Sequence, residues 1–218
     1  VDPLLPEVAS EFSTTPGNAS IIATTYALAY GIFQMVYGPL GDRFGKYPVI
    51  VAAMVAATVA VAATALSSTL FTLSCLRFVA GAATAAVIPL ALAYIGDITS
   101  YEQRQPVLAR FMTGTVLGLL FGQVAGGLIM EIAGWRSVFL VLGGAFALVT
   151  TLLVLELRSS RVDRAQRQST PRPGRMLVQY FGILREEHPR RILVAVFLEG
   201  FLVYGGLTYL GAFLRAQY

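Results

Sequence analysis

Residues 38–47 read Gly38-Pro39-Leu40-Gly41-Asp42-Arg43-Phe44-Gly45-Lys46-Tyr47 and form a short polar segment between two long apolar stretches. Residues 21–37 before the segment and residues 48–66 after it contain no charged side chain. A charged side chain at the centre of a bilayer costs at least ~2.5–3.5 kcal/mol, so we expect the segment to lie at a membrane face, as a hinge between two membrane helices. Its glycines permit a sharp turn, and its charged side chains can pair with charges on other helices.

The composition is that of a membrane protein. Hydrophobic residues make up 56% and charged residues 13% of the 218 residues, against roughly 25% charged residues in a soluble domain. Apolar stretches of about twenty residues recur, and each is long enough to cross a ~30 Å hydrocarbon layer. The sequence therefore predicts an all-α membrane protein. The net charge of +4 does not indicate nucleic-acid binding, because the arginines collect beside the apolar stretches.

The sequence offers few groups for catalysis or metal binding. Cys75 is the only cysteine and His188 the only histidine, which excludes an internal disulfide and a cysteine metal cluster. The apolar stretches contain no cluster of histidine and acid, no Ser–Lys pair and no metal-ligand spacing. We therefore expect no enzyme activity, no metal and no cofactor.

Six apolar stretches predict membrane helices, over residues 21–37, 48–66, 70–95, 106–132, 137–157 and 192–214. Residues 97–105 are expected to form a polar loop, and residues 134–136 a turn in which Trp135 anchors at the membrane interface. Residues 158–191 contain nine arginines, which predicts a basic linker. Within the linker, residues 176–184 carry a helical apolar stripe, which is typical of a helix lying on the membrane surface.

The basic residues predict the orientation and the division of the chain. Four bases near the turns are expected on the same side as the linker, which places thirteen of the sixteen lysines and arginines there; the four are Arg43, Lys46, Arg104 and Arg110. By the positive-inside rule that side is cytoplasmic. We expect a bundle over residues 1–157, the linker over 158–191 and a further helix within 192–218.

A few polar side chains inside the predicted helices are candidates for function. Tyr26, Tyr30 and Gln34 recur at spacing four and share one helix face. That face lines a substrate cavity, together with Gln123, or the tyrosines bond to neighbouring helices; the sequence leaves both interpretations open. Arg77 is the only arginine well inside a span, and such an arginine faces a wet cavity or an acid. The alternative is that it reaches the membrane surface along its own helix.

The stretch over residues 106–132 also carries a glycine at every fourth position. A ladder of this kind leaves one helix face without side chains and lets another helix pack against bare backbone. The glycines are Gly114, Gly118, Gly122 and Gly126.

Three of these motifs resemble the major facilitator superfamily. The hinge is similar to its loop signature Gly-x-Leu-(Ala/Gly)-Asp-Arg-x-Gly-(Arg/Lys)-(Arg/Lys) between the second and third helices, with Tyr47 in place of the second base. Residues 76–81, Leu76-Arg77-Phe78-Val79-Ala80-Gly81, resemble a pattern of its fourth helix. The glycine ladder resembles the fifth-helix signature Gly-Pro-x-x-Gly-Gly of exporters, with Gln123 in place of the proline.

The resemblance implies a transporter of two six-helix bundles with a substrate cavity between them. It assigns the chain to the first bundle, with helix one mostly missing, and to the first helix of the second bundle. It also implies a gating charge network, formed by Gly38, Asp42, Arg43, Gly45, Lys46, Asp97 and Arg104. The charges that could couple a proton are Arg77, Glu199 and Asp2.

The predicted function is secondary active transport of a small molecule across a bacterial inner membrane, as proton-coupled efflux. The expected partners are the substrate, the proton, the lipid bilayer and the remaining half of the transporter, and not nucleic acid. Uptake of a metabolite by the same fold is an alternative, as is a receptor or channel subunit that does not transport.

Overall fold

The structure, a computed structural model, describes residues 4–159 together with residues 187, 190–191, 194–195 and 197–199. The chain divides into two compact units, residues 1–170 and 171–218. The described part of the first unit contains seven helices and no strand: α1 (Leu5–Glu11), α2 (Pro16–Ala19), α3 (Ile21–Phe44), α4 (Lys46–Thr64), α5 (Leu70–Thr84), α6 (Val87–Ile98) and α7 (Tyr101–Ser159). The predicted linker, its surface helix over residues 176–184 and the span over residues 192–214 lie largely or wholly outside the described residues.

Four stretches of the described chain are long and apolar enough to cross a membrane, Pro16–Phe44, Lys46–Thr64, Leu70–Ile98 and Tyr101–Arg158. The last of them, in α7, is interrupted at Gly134, where φ is 77° and ψ is 169°. At ~1.5 Å per residue, α7 measures about 50 Å before this break and about 37 Å after it, and each part exceeds the ~30 Å hydrocarbon core. The prediction of an all-α membrane protein is confirmed.

The polar hinge differs from the turn that the sequence predicts. α3 continues through it to Phe44, and only Gly45, with φ of 92°, leaves helical geometry before α4 begins at Lys46. Gly41 serves helix packing instead of a turn, because a Cβ at this position would lie 2.5 Å from Cδ2 of Leu90 on α6. Gly41 therefore lets the end of α3 approach α6, and Gly45 alone makes the turn.

One further boundary was predicted wrongly, and one predicted span, which the structure has as Leu70–Ile98, is interrupted. The predicted loop over residues 97–105 is mostly helical, since α6 extends to Ile98 and α7 begins at Tyr101. The predicted helix over residues 70–95 is divided into α5 and α6 by Ala85 and Ala86. Pro89 explains this division, because a proline ring clashes with the carbonyl four residues before it, here that of Ala85.

Trp135 lies in the core and is not the interfacial anchor that we expected. Its side chain is 1% exposed, and its ring packs against Phe12 and Phe139, with centroid distances of 6.1 and 6.0 Å. The positive φ of Gly134 turns the chain so that the tryptophan points inward. A core cluster including Val8, Ile22, Val61 and Leu73 surrounds it.

Polar contacts join the segment of this tryptophan to two other segments. Nε1 of Trp135 donates a hydrogen bond to Glu11 Oε2 at 2.5 Å, and Glu11 Oε1 forms an ion pair with Arg136. Arg136 also donates to the carbonyl oxygen of Ser67, at 2.9 Å, in the turn between α4 and α5. We call these four residues the Glu11 cluster. The hydrogen bond from Arg136 is the main reason that the pKa of Glu11 lies below its ordinary value, against the opposing effect of burial.

Candidate functional site

Arg77 lies inside the bundle, on the face of α5 that packs against α3. It is 6% exposed, and its Cζ atom is 4.4 Å from the ring centroid of Tyr26 and 5.4 Å from that of Phe139. Both distances are within the ~6 Å range of a cation–π contact. Because the side chain is buried against these two rings, it does not extend along its own helix to the surface, which was the alternative interpretation.

Among the described residues, Arg77 lacks some of the polar partners that a buried guanidinium needs. Its Nε is buried there without a hydrogen-bond partner, and no acidic side chain among the described residues forms an ion pair with it. A buried guanidinium without a counter-ion is costly, because the charge has lost water and gained no opposite charge. It is therefore a position at which an anionic group would bind favourably.

Tyr26 is held firmly beside Arg77 by its own contacts. Its hydroxyl shares a hydrogen bond of 2.8 Å with Thr84 Oγ1, and its ring stacks on Tyr30 with an interplanar angle of 18°. The backbone of Tyr26 passes directly over Gly81, where a Cβ would lie 2.4 Å from the Tyr26 carbonyl oxygen. Gly81 thus allows α3 and α5 to cross closely enough for the ring to reach the guanidinium.

The other candidates for a substrate cavity are more open. Tyr30 is partly buried, whereas Gln34 on α3 and Gln123 on α7 are exposed. A separate apolar groove of about 560 Å³ lies between α3 and α5, and its lining residues include Thr25, Phe71, Cys75 and Phe78. None of the four cavity candidates lines this groove.

The charged residues near the α3–α4 turn are only partly brought together. Lys46 Nζ pairs with Asp97 Oδ2 at 2.5 Å, which joins the start of α4 to the end of α6. Arg104 on α7 donates a hydrogen bond of 2.7 Å to the carbonyl oxygen of Gly96. These two contacts link α4, α6 and α7. Asp42 and Arg43, at the end of α3, are exposed. We use the name turn cluster for Asp42, Arg43, Lys46, Gly96, Asp97 and Arg104.

The remaining candidates are placed as follows. The glycine ladder lies on an exposed part of α7, where an added Cβ at Gly114, Gly118 or Gly122 would meet nothing within 4 Å among the described residues. At Gly126 it would meet Val138 at 3.9 Å. Glu199 is helical and exposed in the second unit, and Asp2 lies outside the described residues.

Sequence reasoning missed two contributors to the Arg77 environment. Phe139 carries no sequence signal that links it to Arg77, because the two residues are 62 positions apart and phenylalanine is common in membrane helices. Thr84 could have been found, since it follows Arg77 by seven positions and Gly81 by three, which places all three on one face of α5.

Comparison with known proteins identifies the family. The model of the Major Facilitator Superfamily matches residues 1–218, and the chain belongs to this family. It is 29% identical over 208 residues to the uncharacterized MFS-type transporter YybF of Bacillus subtilis, covering 94% of this chain and 49% of YybF. It is 25% identical to the inner membrane transport protein YnfM of Escherichia coli, with 95% and 48% covered.

A third relative is the multi-drug resistance efflux pump PmrA of Streptococcus pneumoniae, with 28% identity over 70% of this chain and 38% of PmrA. The chain thus spans about half or less of the length of the curated relatives it matches. Together with the apolar helices, the family match identifies a multi-pass membrane protein.

Proposed function

We propose that the chain is part of a secondary active transporter that exports a small molecule across the bacterial inner membrane in exchange for protons. Residues 1–157 belong to the first bundle, residues 158–191 form a cytoplasmic linker, and residues 192–218 contain the first helix of the second bundle. The substrate binds between the two bundles, and rocking of one bundle against the other opens the site to each side in turn. This is transport without a catalytic step.

The observation that carries this proposal is the buried guanidinium of Arg77, which has no acidic partner among the described residues. A guanidinium stays charged at any physiological pH, so Arg77 does not itself carry the proton. It can instead keep an acidic group ionised while the two are paired, until a proton or the substrate displaces that pairing. Because the described residues supply no acid to Arg77, we assign this acid to Asp2 or to the second bundle.

The relatives support export as the direction. PmrA is named as a multi-drug efflux pump, and a further relative, 30% identical over 70% of this chain, is citrate exporter 1 of Aspergillus niger. The turn cluster has the place of a gate in this scheme, because it joins three helix ends at one end of the bundle through Lys46, Asp97 and Arg104.

The experiment uses everted membrane vesicles from cells that express the whole reading frame containing this chain. A proton gradient is imposed, and the movement of ethidium, an amphipathic cation, is followed by its fluorescence. We expect gradient-driven accumulation of ethidium with the wild-type protein. Arg77→Gln should abolish the dependence on the gradient while the amount of protein in the membrane stays the same, and Arg77→Lys should restore it only in part, because an ammonium cannot make the planar two-point contact with a carboxylate.

Two results would contradict the proposal. Normal gradient-driven movement by the glutamine variant would remove Arg77 from the coupling mechanism. Wild-type vesicles that do not accumulate ethidium above the level of vesicles without the protein would contradict proton-coupled export of this compound.

A further inference from the structure

The ring of Tyr26 is the nearest group to the Arg77 guanidinium for which the structure gives a contact, at 4.4 Å. The attraction of a guanidinium to an aromatic face is strengthened when the two groups are removed from water. Arg77 is 6% exposed, and Tyr26 is partly buried. Phe139 adds a longer contact of 5.4 Å. In the described part of the chain, the Arg77 charge is therefore stabilised by the aromatic rings of Tyr26 and Phe139 and not by an acidic side chain.

Tyr26 has little freedom to leave this position. Its hydroxyl is held by Thr84, whose own Oγ1 also donates to the carbonyl oxygen of Ala80 at 2.9 Å. Its backbone is in contact with α5 at Gly81. One end of the side chain and the backbone are thus both fixed to α5, the helix that carries Arg77, and the ring between them is fixed as well.

We propose that Tyr26 is the positioning residue of Arg77, which it holds by its ring face at the crossing of α3 and α5. This inference rests on the proposed function, in which Arg77 is the fixed charge of proton coupling. An arginine side chain has several rotatable bonds, and its buried Nε has no hydrogen-bond partner among the described residues to orient it. The ring of Tyr26 supplies the orientation that the missing hydrogen bond does not.

The proposal separates two properties of the tyrosine. Tyr26→Phe keeps the ring and removes the hydroxyl, and Thr84 still donates to Ala80, so no polar group is left without a partner. Tyr26→Leu keeps an apolar side chain and removes the ring. Phe33→Leu is a matched control, because it removes an aromatic contact between the same two helices, that of Phe33 with Phe78 at 6.2 Å, without touching Arg77.

The first measurement is gradient-driven ethidium movement in the everted vesicles described above. We expect Tyr26→Leu to lower the gradient-driven rate about tenfold, which corresponds to ~1.4 kcal/mol and lies between the values of an exposed and of a desolvated cation–π contact. Tyr26→Phe and Phe33→Leu should remain within about twofold of the wild type, because a cation–π contact needs only the ring. The pH dependence of the rate should be lost in the leucine variant and kept in the phenylalanine variant, which a purely structural role of Tyr26 would not produce.

The second measurement does not depend on transport. The whole protein is labelled with [¹⁵N]arginine in lipid nanodiscs, and the Nε–H signal of Arg77 is assigned by its absence in Arg77→Lys. Ring currents should shift this signal away from those of exposed arginines in the wild type, in Tyr26→Phe and in Phe33→Leu. In Tyr26→Leu it should move toward the exposed arginines.

The two measurements distinguish the failure of this inference from the failure of the proposed function. If Arg77→Gln abolishes coupling but Tyr26→Leu does not, and the Arg77 signal is unchanged in the leucine variant, Tyr26 is not the positioning residue and the coupling role of Arg77 stands. If the wild-type protein moves no ethidium, the proposed function fails for this probe, and the arginine signal alone decides the role of Tyr26.

Discussion

Replacing Glu11 by alanine should destabilise the bundle by more than its partly exposed position suggests. The ion pair with Arg136 joins side chains that are 38% and 39% exposed, and such a pair contributes ~0–1 kcal/mol. The hydrogen bond from Trp135 is different, because the tryptophan is 1% exposed and its Nε1 would be left without an acceptor, at a cost of ~1–3 kcal/mol. The sum is about 1–4 kcal/mol, or roughly 2–16 °C in Tm for a chain of this size.

The assay is thermal unfolding of the purified protein in detergent, followed by far-ultraviolet circular dichroism and by tryptophan fluorescence. Trp135 is the only tryptophan of the 218 residues, so the fluorescence reports on the Glu11 cluster alone. Glu11→Gln is the matched control, because its amide oxygen still accepts from Nε1 while the charge is removed. We expect this variant to lose ~1 kcal/mol or less.

The pH dependence follows from the lowered pKa of Glu11. The pKa in the folded protein lies below its ordinary value of 4.5, so the stabilisation is fully present above pH 4.5 and is lost as the pH falls through the folded-state pKa. Wild type and Glu11→Gln should therefore differ at neutral pH and converge in acid. Equal Tm values for wild type and Glu11→Ala at neutral pH would show that the Trp135 hydrogen bond contributes nothing.

Three further perturbations test other contacts. Gly81→Ala should lower the Tm by several degrees, because its Cβ would lie 2.4 Å from the backbone of α3. Gly31→Ala is the control and should not lower the Tm, because its Cβ would meet nothing within 4 Å among the described residues. Equal effects of the two substitutions would contradict the close crossing of α3 and α5. A double-mutant cycle on Lys46→Gln and Asp97→Asn should give a coupling energy of about 0.5 kcal/mol, since both side chains are partly exposed, and a value above about 2 kcal/mol would contradict this estimate. Asp42→Asn in the whole reading frame should slow ethidium movement without changing its concentration dependence; a change in apparent affinity alone would argue against a gate.

The membrane class was predictable from sequence because it depends on a property of whole stretches. A span needs about twenty apolar residues, and no local detail can reverse that requirement. Helix boundaries were less predictable, because they depend on partners distant in the chain. Gly38 and Gly41 signal a turn when read locally, yet α3 is helical through both residues, and Gly41 lies against Leu90, 49 positions away.

The candidate site also has one feature that the sequence predicts and others that it does not. Arg77 could be singled out because a charge within an apolar span is costly wherever it points. Its surroundings could not be predicted, since the contact with Phe139 depends on how α5 and α7 meet. The Glu11 cluster was equally hidden, because Glu11 and Trp135 are 124 positions apart and a tryptophan beside an arginine is also typical of a membrane interface.

The spacing of the fourth-helix motif acquires a physical explanation from Tyr26. Arg77, Gly81 and Thr84 lie on one face of α5, and each of them meets a different part of the same tyrosine: the ring, the backbone and the hydroxyl. The glycine is required at its position because the backbone of α3 passes there, and this close passage brings the ring over the guanidinium. The arginine and the glycine are therefore two parts of one helix crossing. A larger residue at position 81 should disturb the charge at position 77 even though the two side chains need not touch.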